Sequence, residues 1–223
     1  AYSNFHVENV LAALSSPGEW CLNRETSILY YMPPAGIDPR KCEIIGDNLP
    51  VIFLLDGKAE YGKWIENIVF RGLTFKHSSQ KGVLRYFEKT AVRLSRGVRN
   101  CSILDCRFSD LGGSGVVIWR ECRNNVVAGC EFVHTGDTPV CLFDYPGTGP
   151  SLNGGNQITD NYIHHCSTVT KSTAGVRVEG SEENRIAHNV ICNMPYVGIS
   201  VIGTRVKSWV KKNVPELQPP YTS

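Results

Sequence analysis

Asp144 and Glu179 stand out as the carboxylates of this chain placed to work as an acid and a base. Each closes a short apolar run, Val140-Cys141-Leu142-Phe143-Asp144 and Val176-Arg177-Val178-Glu179. The matching places in these and neighbouring runs hold Arg93, Trp119, Arg120, Phe143 and Arg177, and Tyr145 follows Asp144 directly. Two carboxyl groups can cleave a glycosidic bond, retaining at about 5–5.5 Å apart and inverting at about 6.5–9.5 Å. Aromatic rings offer a flat apolar surface to a sugar ring, and guanidinium groups bind acidic or hydroxylated groups with paired donors. The set has the chemistry of a glycan groove if the chain brings it to one face.

The elements that must do so are short and repeated. Val92-Arg93-Leu94, Val116-Val117-Ile118, Val140-Cys141-Leu142, Val176-Arg177-Val178 and Ile199-Ser200-Val201 recur after 24, 24, 36 and 23 residues. A second member lies in each gap: Ile103 to Phe108, Val127 to Phe132, Ile158 to Ile163 and Ile186 to Ile191. An earlier copy spans Phe70 to Phe75. A period of about two dozen belongs to repeat architectures. Alternation of apolar and polar residues inside each unit is a strand signal, not a helical one. The gaps leave no room for crossover helices, and the leucine-rich-repeat frame is absent. The spacing therefore predicts a parallel β-helix, one coil per unit, stacked at about 4.8 Å.

Stacking then fixes the columns. With Val92, Leu94, Val116, Ile118, Val140, Leu142, Val176 and Val178 facing in, Arg93, Val117, Cys141, Arg177 and Ser200 form one outer column. Ser95, Trp119, Phe143, Glu179 and Ile202 form the next, with Arg120 and Asp144 one step beyond. A different column holds His77, Asp110, His134, His165 and Asn193, each two residues past the closing apolar residue of its unit. His134, His165 and Cys166 could suggest a metal site. Turn chemistry, which selects Asp, Asn and His for local hydrogen bonding, accounts for one such residue per coil, and no metal is expected there.

The chain resembles the right-handed parallel β-helix proteins of the pectate-lyase-like superfamily, and within it the β-helical glycoside hydrolases that include fucosidases and xylanases. The strings that carry this are Pro17-Gly18-Glu19-Trp20 through Tyr30-Tyr31, Phe70 to Phe75, Leu111 to Gly115, Asp160 to His164, Asn184 to Asn189 and Pro195 to Ser200. The resemblance implies an all-β, right-handed parallel β-helix of about five coils that binds or acts on polysaccharide along its outer sheet face. In the resembled hydrolases the carboxylates proposed for catalysis lie in coils beyond the matched stretch. That implies a fragment or shortened form of a carbohydrate-active protein, with a non-catalytic glycan-binding or structural β-helix as the alternative.

Residues 1–50 are expected to form a short helix and a β-hairpin packed on the first coil, 51–203 the β-helix, and 204–223 an irregular, proline-containing tail. Phe5, Val10, Leu11 and Leu14 suggest the helix, and Asn23 to Ser27 the hairpin turn. Insertions fall in residues 76–90, in the Gly/Pro-rich stretch after Asp144, and between Ile163 and Val176. The apolar share of 42%, charged share of 20% and net charge of +2 fit an ordinary globular domain without a polyanion-binding surface, so no nucleic-acid or membrane partner is expected. Nine cysteines without a C-x-x-C give no zinc framework, clustered acids for Ca²⁺ are absent, and no cofactor is expected. Cys106 and Cys130 fall where Asn161 and Asn189 fall later, so they are expected to stack inside the coils as reduced thiols. A lyase reading would use Arg93 and Arg177 on an acidic sugar. No secretory signal is read at Ala1-Tyr2-Ser3-Asn4, and no G-x-S-x-G marks a serine hydrolase.

Overall fold

The computed structural model describes residues 9–79, 89–144 and 153–203. Tyr145 with the Gly/Pro-rich stretch that follows it, most of the 76–90 insertion, and the 204–223 tail lie outside the described residues. The chain divides into two compact units, residues 1–45 and 46–223.

In the first unit, Trp20–Asn23 pairs antiparallel with Ile28–Tyr31. The turn forms because the Asn23 carboxamide oxygen accepts the amides of Glu25 (2.9 Å) and Thr26 (3.1 Å), the local bond that makes asparagine a turn residue. Asn9 brackets Leu22, donating to its carbonyl at 3.0 Å and accepting its amide at 2.7 Å. The short helix expected ahead of the hairpin is, among the described residues, one 3₁₀ turn, Leu11–Ala13.

The second unit is a parallel β-helix. Its longest sheet, sheet I, stacks Val51–Asp56, Thr90–Ser95, Ser114–Trp119, Val140–Phe143, Ala174–Glu179 and Val197–Ile202, all parallel. Sheet II stacks Val69–Arg71, Ser102–Leu104, Val126–Ala128, Gln157–Thr159 and Arg185–Ala187. Sheet III stacks Thr74–Lys76, Arg107–Leu111, Glu131–Thr135, Tyr162–His164 and Val190–Cys192. One strand from each sheet makes a coil, so the described residues hold five full coils and Val197–Ile202 begins another. A register of like on like follows from the repeat. Val92, Val116, Val140 and Val176 stack in sheet I and are all fully buried. In sheet III, Phe75, Phe108 and Phe132 stack face to face at 4.8 and 4.6 Å between ring centroids before Ile163 and Ile191 continue the column.

Two inward turns need polar side chains, because each carries buried amides that no strand ladder reaches. Between sheets II and III the inward residues are Cys106, Cys130, Asn161 and Asn189. The Asn161 oxygen accepts the Cys130 amide at 3.0 Å, and Asn189 in turn accepts the Asn161 amide at 3.0 Å. The cysteine and asparagine stack read from the sequence is therefore present, and all nine cysteines are unpaired thiols. A parallel ladder between sheets I and II runs through Cys101, Asn125, Asn156 and Asn184. The residue before each rung has a left-handed backbone, supplied by Asn100, Asn124, Gly155 and Glu183 here and by Asp105, Gly129, Asp160 and His188 in the other turn. Glycine meets this φ without strain at 129, where an added Cβ would sit 2.6 Å from the Asp105 carboxylate and that side chain would have to turn aside.

Asn156 is the rung with most partners. Its oxygen accepts the Asn125 amide (3.0 Å) and carboxamide (3.1 Å), and its nitrogen donates to Cys122 O (3.2 Å) and Asn153 Oδ1 (2.9 Å). Asn156→Ala leaves these buried groups unmet, at about 1–3 kcal/mol apiece. A loss of about 2–4 kcal/mol in unfolding free energy by urea titration is expected, and a loss under about 0.5 kcal/mol would show that the ladder is replaceable by water.

Candidate functional site

Sheet I sets its outer columns by register. Leu54, Arg93, Val117, Cys141, Arg177 and Ser200 lie in one, and Asp56, Ser95, Trp119, Phe143, Glu179 and Ile202 in the next. These are the columns expected from the spacing, with Leu54 and Asp56 added at the first coil. The middle of the face is closed to solvent: Val117, Cys141 and Phe143 are fully buried and form a small apolar cluster with the half-buried Trp119. Phe143 therefore has no accessible ring to offer a sugar. Arg93 and Arg120 approach the Trp119 ring at 5.9 and 5.7 Å, within cation–π range.

Polar groups gather towards the later coils. Arg177 donates from Nε (3.2 Å) and Nη2 (2.7 Å) to one carboxylate oxygen of Glu179, two residues on and on the same face of the strand. Beside this pair, Ser172, Ala174, Arg177, Tyr196, Val197, Ser200 and Ile202 line a cleft of about 140 Å³. Tyr196 is 67% exposed at its rim. A cleft with an exposed aromatic ring, a guanidinium and two serine hydroxyls is suited to a hydroxylated, ring-shaped ligand. Asp144 is 5% exposed, and its amide donates to Glu179 O at 2.8 Å. The Asp144 charge also acts on the Cys122 thiol, which burial pushes up to about 12. The structure thus sets Arg177, Glu179 and the Asp144 backbone side by side, with Trp119, Arg93 and Arg120 on earlier coils. Tyr145 lies outside the described residues.

Two contributors escape the column argument, Tyr196 and Asp137. Both stand three residues before the first inward residue of their strand, Ile199 and Val140, a place held by Thr173 in the coil between. Extending the columns by three residues upstream would have found them. Asp137 is 6% exposed; its carboxylate accepts the Thr138 amide (2.7 Å) and the Thr170 hydroxyl (3.2 Å). Burial raises its pKa above the usual 3.8, while those hydrogen bonds and the Arg177 charge pull it back. Cys141 lies in the same environment. Burial pushes its thiol up to about 12, with Arg177 opposing and Asp137 and Glu179 adding to the rise. Buried carboxyls with perturbed pKa gather at functional sites, and the charge of the cleft residue Arg177 acts on this one.

At the first coil, Asp56 accepts from Ser95 Oγ (2.7 Å) and from Arg96, and the Arg96 guanidinium holds its carboxyl below the ordinary range. The expected turn column is also present. His77, Asp110, His134, His165 and Asn193 all have positive φ, between 51° and 59°. Cys166 turns inward to the Phe132 and His164 carbonyls, so it does not join His134 and His165. Among the described residues no three His, Cys, Asp or Glu side chains converge on one point. No helix among them is long and apolar enough to cross a membrane.

Residues 40–214 match the model of the right-handed β-helix region. A solved structure described as a glycoside hydrolase superposes with a TM-score of 0.72 over 87% of this chain, at 19% sequence identity. The chain spans 40% of that protein's length. At that identity the likeness speaks for the fold alone. No curated protein matches the sequence.

Ionising Asp137 opposes folding, because its folded pKa is raised. Below pH 3.8 the group is protonated in both states and costs nothing; as pH rises through the folded value the cost appears and then levels off. Asp137→Asn keeps an oxygen for the Thr138 amide. Its unfolding free energy relative to the parent is expected to increase between pH 3 and pH 7 in denaturant titrations. A pH-independent difference would mean that the carboxyl carries no such burden.

Proposed function

The chain belongs to the right-handed β-helix family, and on that premise we propose that it binds polysaccharide on the outer face of sheet I, as part of a carbohydrate-active, glycoside-hydrolase-like protein. The observation that carries this reading is the cleft where Tyr196, Arg177, Ser172 and Ser200 meet beside Glu179. Tyr196 supplies the stacking surface, Arg177 and the serines the hydrogen bonds, and Trp119 with Arg93 and Arg120 extends the face across earlier coils. For bond cleavage the carboxyls are Glu179 and Asp144 on neighbouring coils, one as acid and the other as base or nucleophile.

A second reading, glycan binding without cleavage, is favoured by one feature. Glu179 is bound twice by Arg177, and the Asp144 side chain is almost wholly buried, so both carboxyls are already engaged. The similar glycoside hydrolase structure is matched over only 40% of its length, so its activity is no argument that this chain cleaves.

Tyr196→Ala is expected to weaken binding to a retained polysaccharide about three- to tenfold, the worth of one aromatic stacking contact. Affinity gel electrophoresis against a polysaccharide panel reads this; unchanged retention would remove the cleft as the site. Glu179→Gln and Asp144→Asn separate the two readings. Under cleavage both variants lose at least 100-fold in turnover while keeping the retention of the parent. Under binding alone, neither protein nor variant releases reducing ends.

A further inference from the structure

Away from sheet I, the outer face of sheet III holds a different constellation. Tyr162–His164 is a strand, so neighbouring side chains should alternate faces. His165 breaks the alternation: its φ of 51° swings the ring back to the side of His164. The two Nδ1 atoms come to 2.9 Å. On its other side His164 Nε2 lies 3.1 Å from Glu131 Oε1.

That contact decides the tautomer. An ionised carboxylate only accepts, so Nε2 carries the proton, and a neutral His164 ring then presents a bare lone pair at Nδ1. His165 Nδ1 stands 2.9 Å from it and, without an ion, fills that lone pair with its own N–H. Glu131 is fixed in turn by Arg107 from the preceding coil, and the Tyr162 ring stacks on His164 at 4.1 Å and 25°. A histidine that gives its far N–H to a carboxylate and is clamped in plane has the outer support of a metal ligand. His164 is largely sheltered, with 13% of its side chain exposed, whereas His165 is open to solvent.

We propose that His164 and His165 chelate a divalent transition-metal ion through their Nδ1 atoms, at right-angled positions that suit Ni²⁺ or Cu²⁺. Two nitrogens each about 2.05 Å from one ion and at right angles stand about 2.9 Å apart; a tetrahedral Zn²⁺ would need about 3.4 Å. The protein supplies two ligands and solvent the remainder. His134 does not add a third: its Nδ1 faces Asp110 Oδ1 at 3.4 Å, and its ring is 6.3 Å from that of His165. To bind, the solvent-exposed His165 moves its proton from Nδ1 to Nε2 and turns its ring so that both Nδ1 lone pairs converge on the ion.

Isothermal titration of untagged protein with NiCl₂ tests the site, and one ion per chain is expected. His165→Asn removes one ligand but keeps the positive-φ turn, since Asn193 fills the equivalent place with φ 52°. This variant should melt as the parent does and lose the binding event. Glu131→Gln should weaken binding about 10–100-fold while leaving the stoichiometry at one. Cu²⁺ should bind more tightly than Ni²⁺. Absence of saturable binding would overturn the proposal. So would undiminished binding by a folded His165→Asn variant, which would assign the ion to other histidines or to the exposed Cys42 thiol.

Discussion

A coil can be stacked on another only if the amides at its corners find partners inside the stack. In this protein those partners are asparagine side chains that reach from one coil to the next. Each rung accepts an amide from the coil before it. Asn125, Asn156, Asn161 and Asn189 also donate to a carbonyl of that coil, while Asn184 donates to the Ser181 hydroxyl, so each position along the axis is fixed to within a hydrogen bond. The apolar columns have no such precision. Phenylalanine on phenylalanine or valine on valine tolerates small slips, whereas a displaced Asn156 leaves several groups unmet. The ladders thus set the register, and the register sets which outward residues become neighbours. The left-handed residue before each rung belongs to the same device, because it turns the next side chain into the core.

Once the register is fixed, the outer faces become free for other purposes, and those of sheets I and III have been used differently. On sheet I the centre is sealed by Val117, Cys141 and Phe143, and polar groups collect where Arg177, Glu179 and Tyr196 meet. On sheet III charged and ring side chains run across coils, from Lys76 to Asp110 to His134 and from Arg107 to Glu131 to His164. Surface pairs of this kind contribute little to stability individually. Their effect is to hold particular rings in particular orientations, and that matters for ligands more than for folding.

The fold was legible because it is periodic. A two-residue alternation inside a unit and a two-dozen-residue return between units left few architectures standing, and both the columns of sheet I and the cysteine–asparagine stack follow by counting. The second asparagine ladder was missed because its rungs, Asn125, Asn156 and Asn184, sit in polar turns that look unremarkable one at a time. The site was legible only in part. Counting places Trp119, Phe143 and Glu179 in one column, but whether a ring is open or sealed depends on what lies over it, and Phe143 is fully buried. Tyr196 and Asp137 lie outside the strand proper, where register had not been extended. The histidine pair escaped for a different reason: adjacent residues are assumed to face apart, and only the left-handed turn at His165 reverses that.

Arg177 shows how one outward residue can organise a face. It lies between Cys141 and Ser200 in its column, with Glu179 two residues along its own strand. Its charge opposes the rise in pKa of both the Asp137 carboxyl and the Cys141 thiol, while its guanidinium anchors Glu179 and lines the cleft. Removing it would do more than delete one ligand contact. Glu179 would be released from its two hydrogen bonds, Asp137 would be driven further towards its neutral form, and the cleft would lose a wall. A lysine there would keep the charge but not the paired geometry. The protonation of Asp137 and the placement of Glu179 are thus coupled through Arg177, so binding and cleavage alike depend on that one side chain.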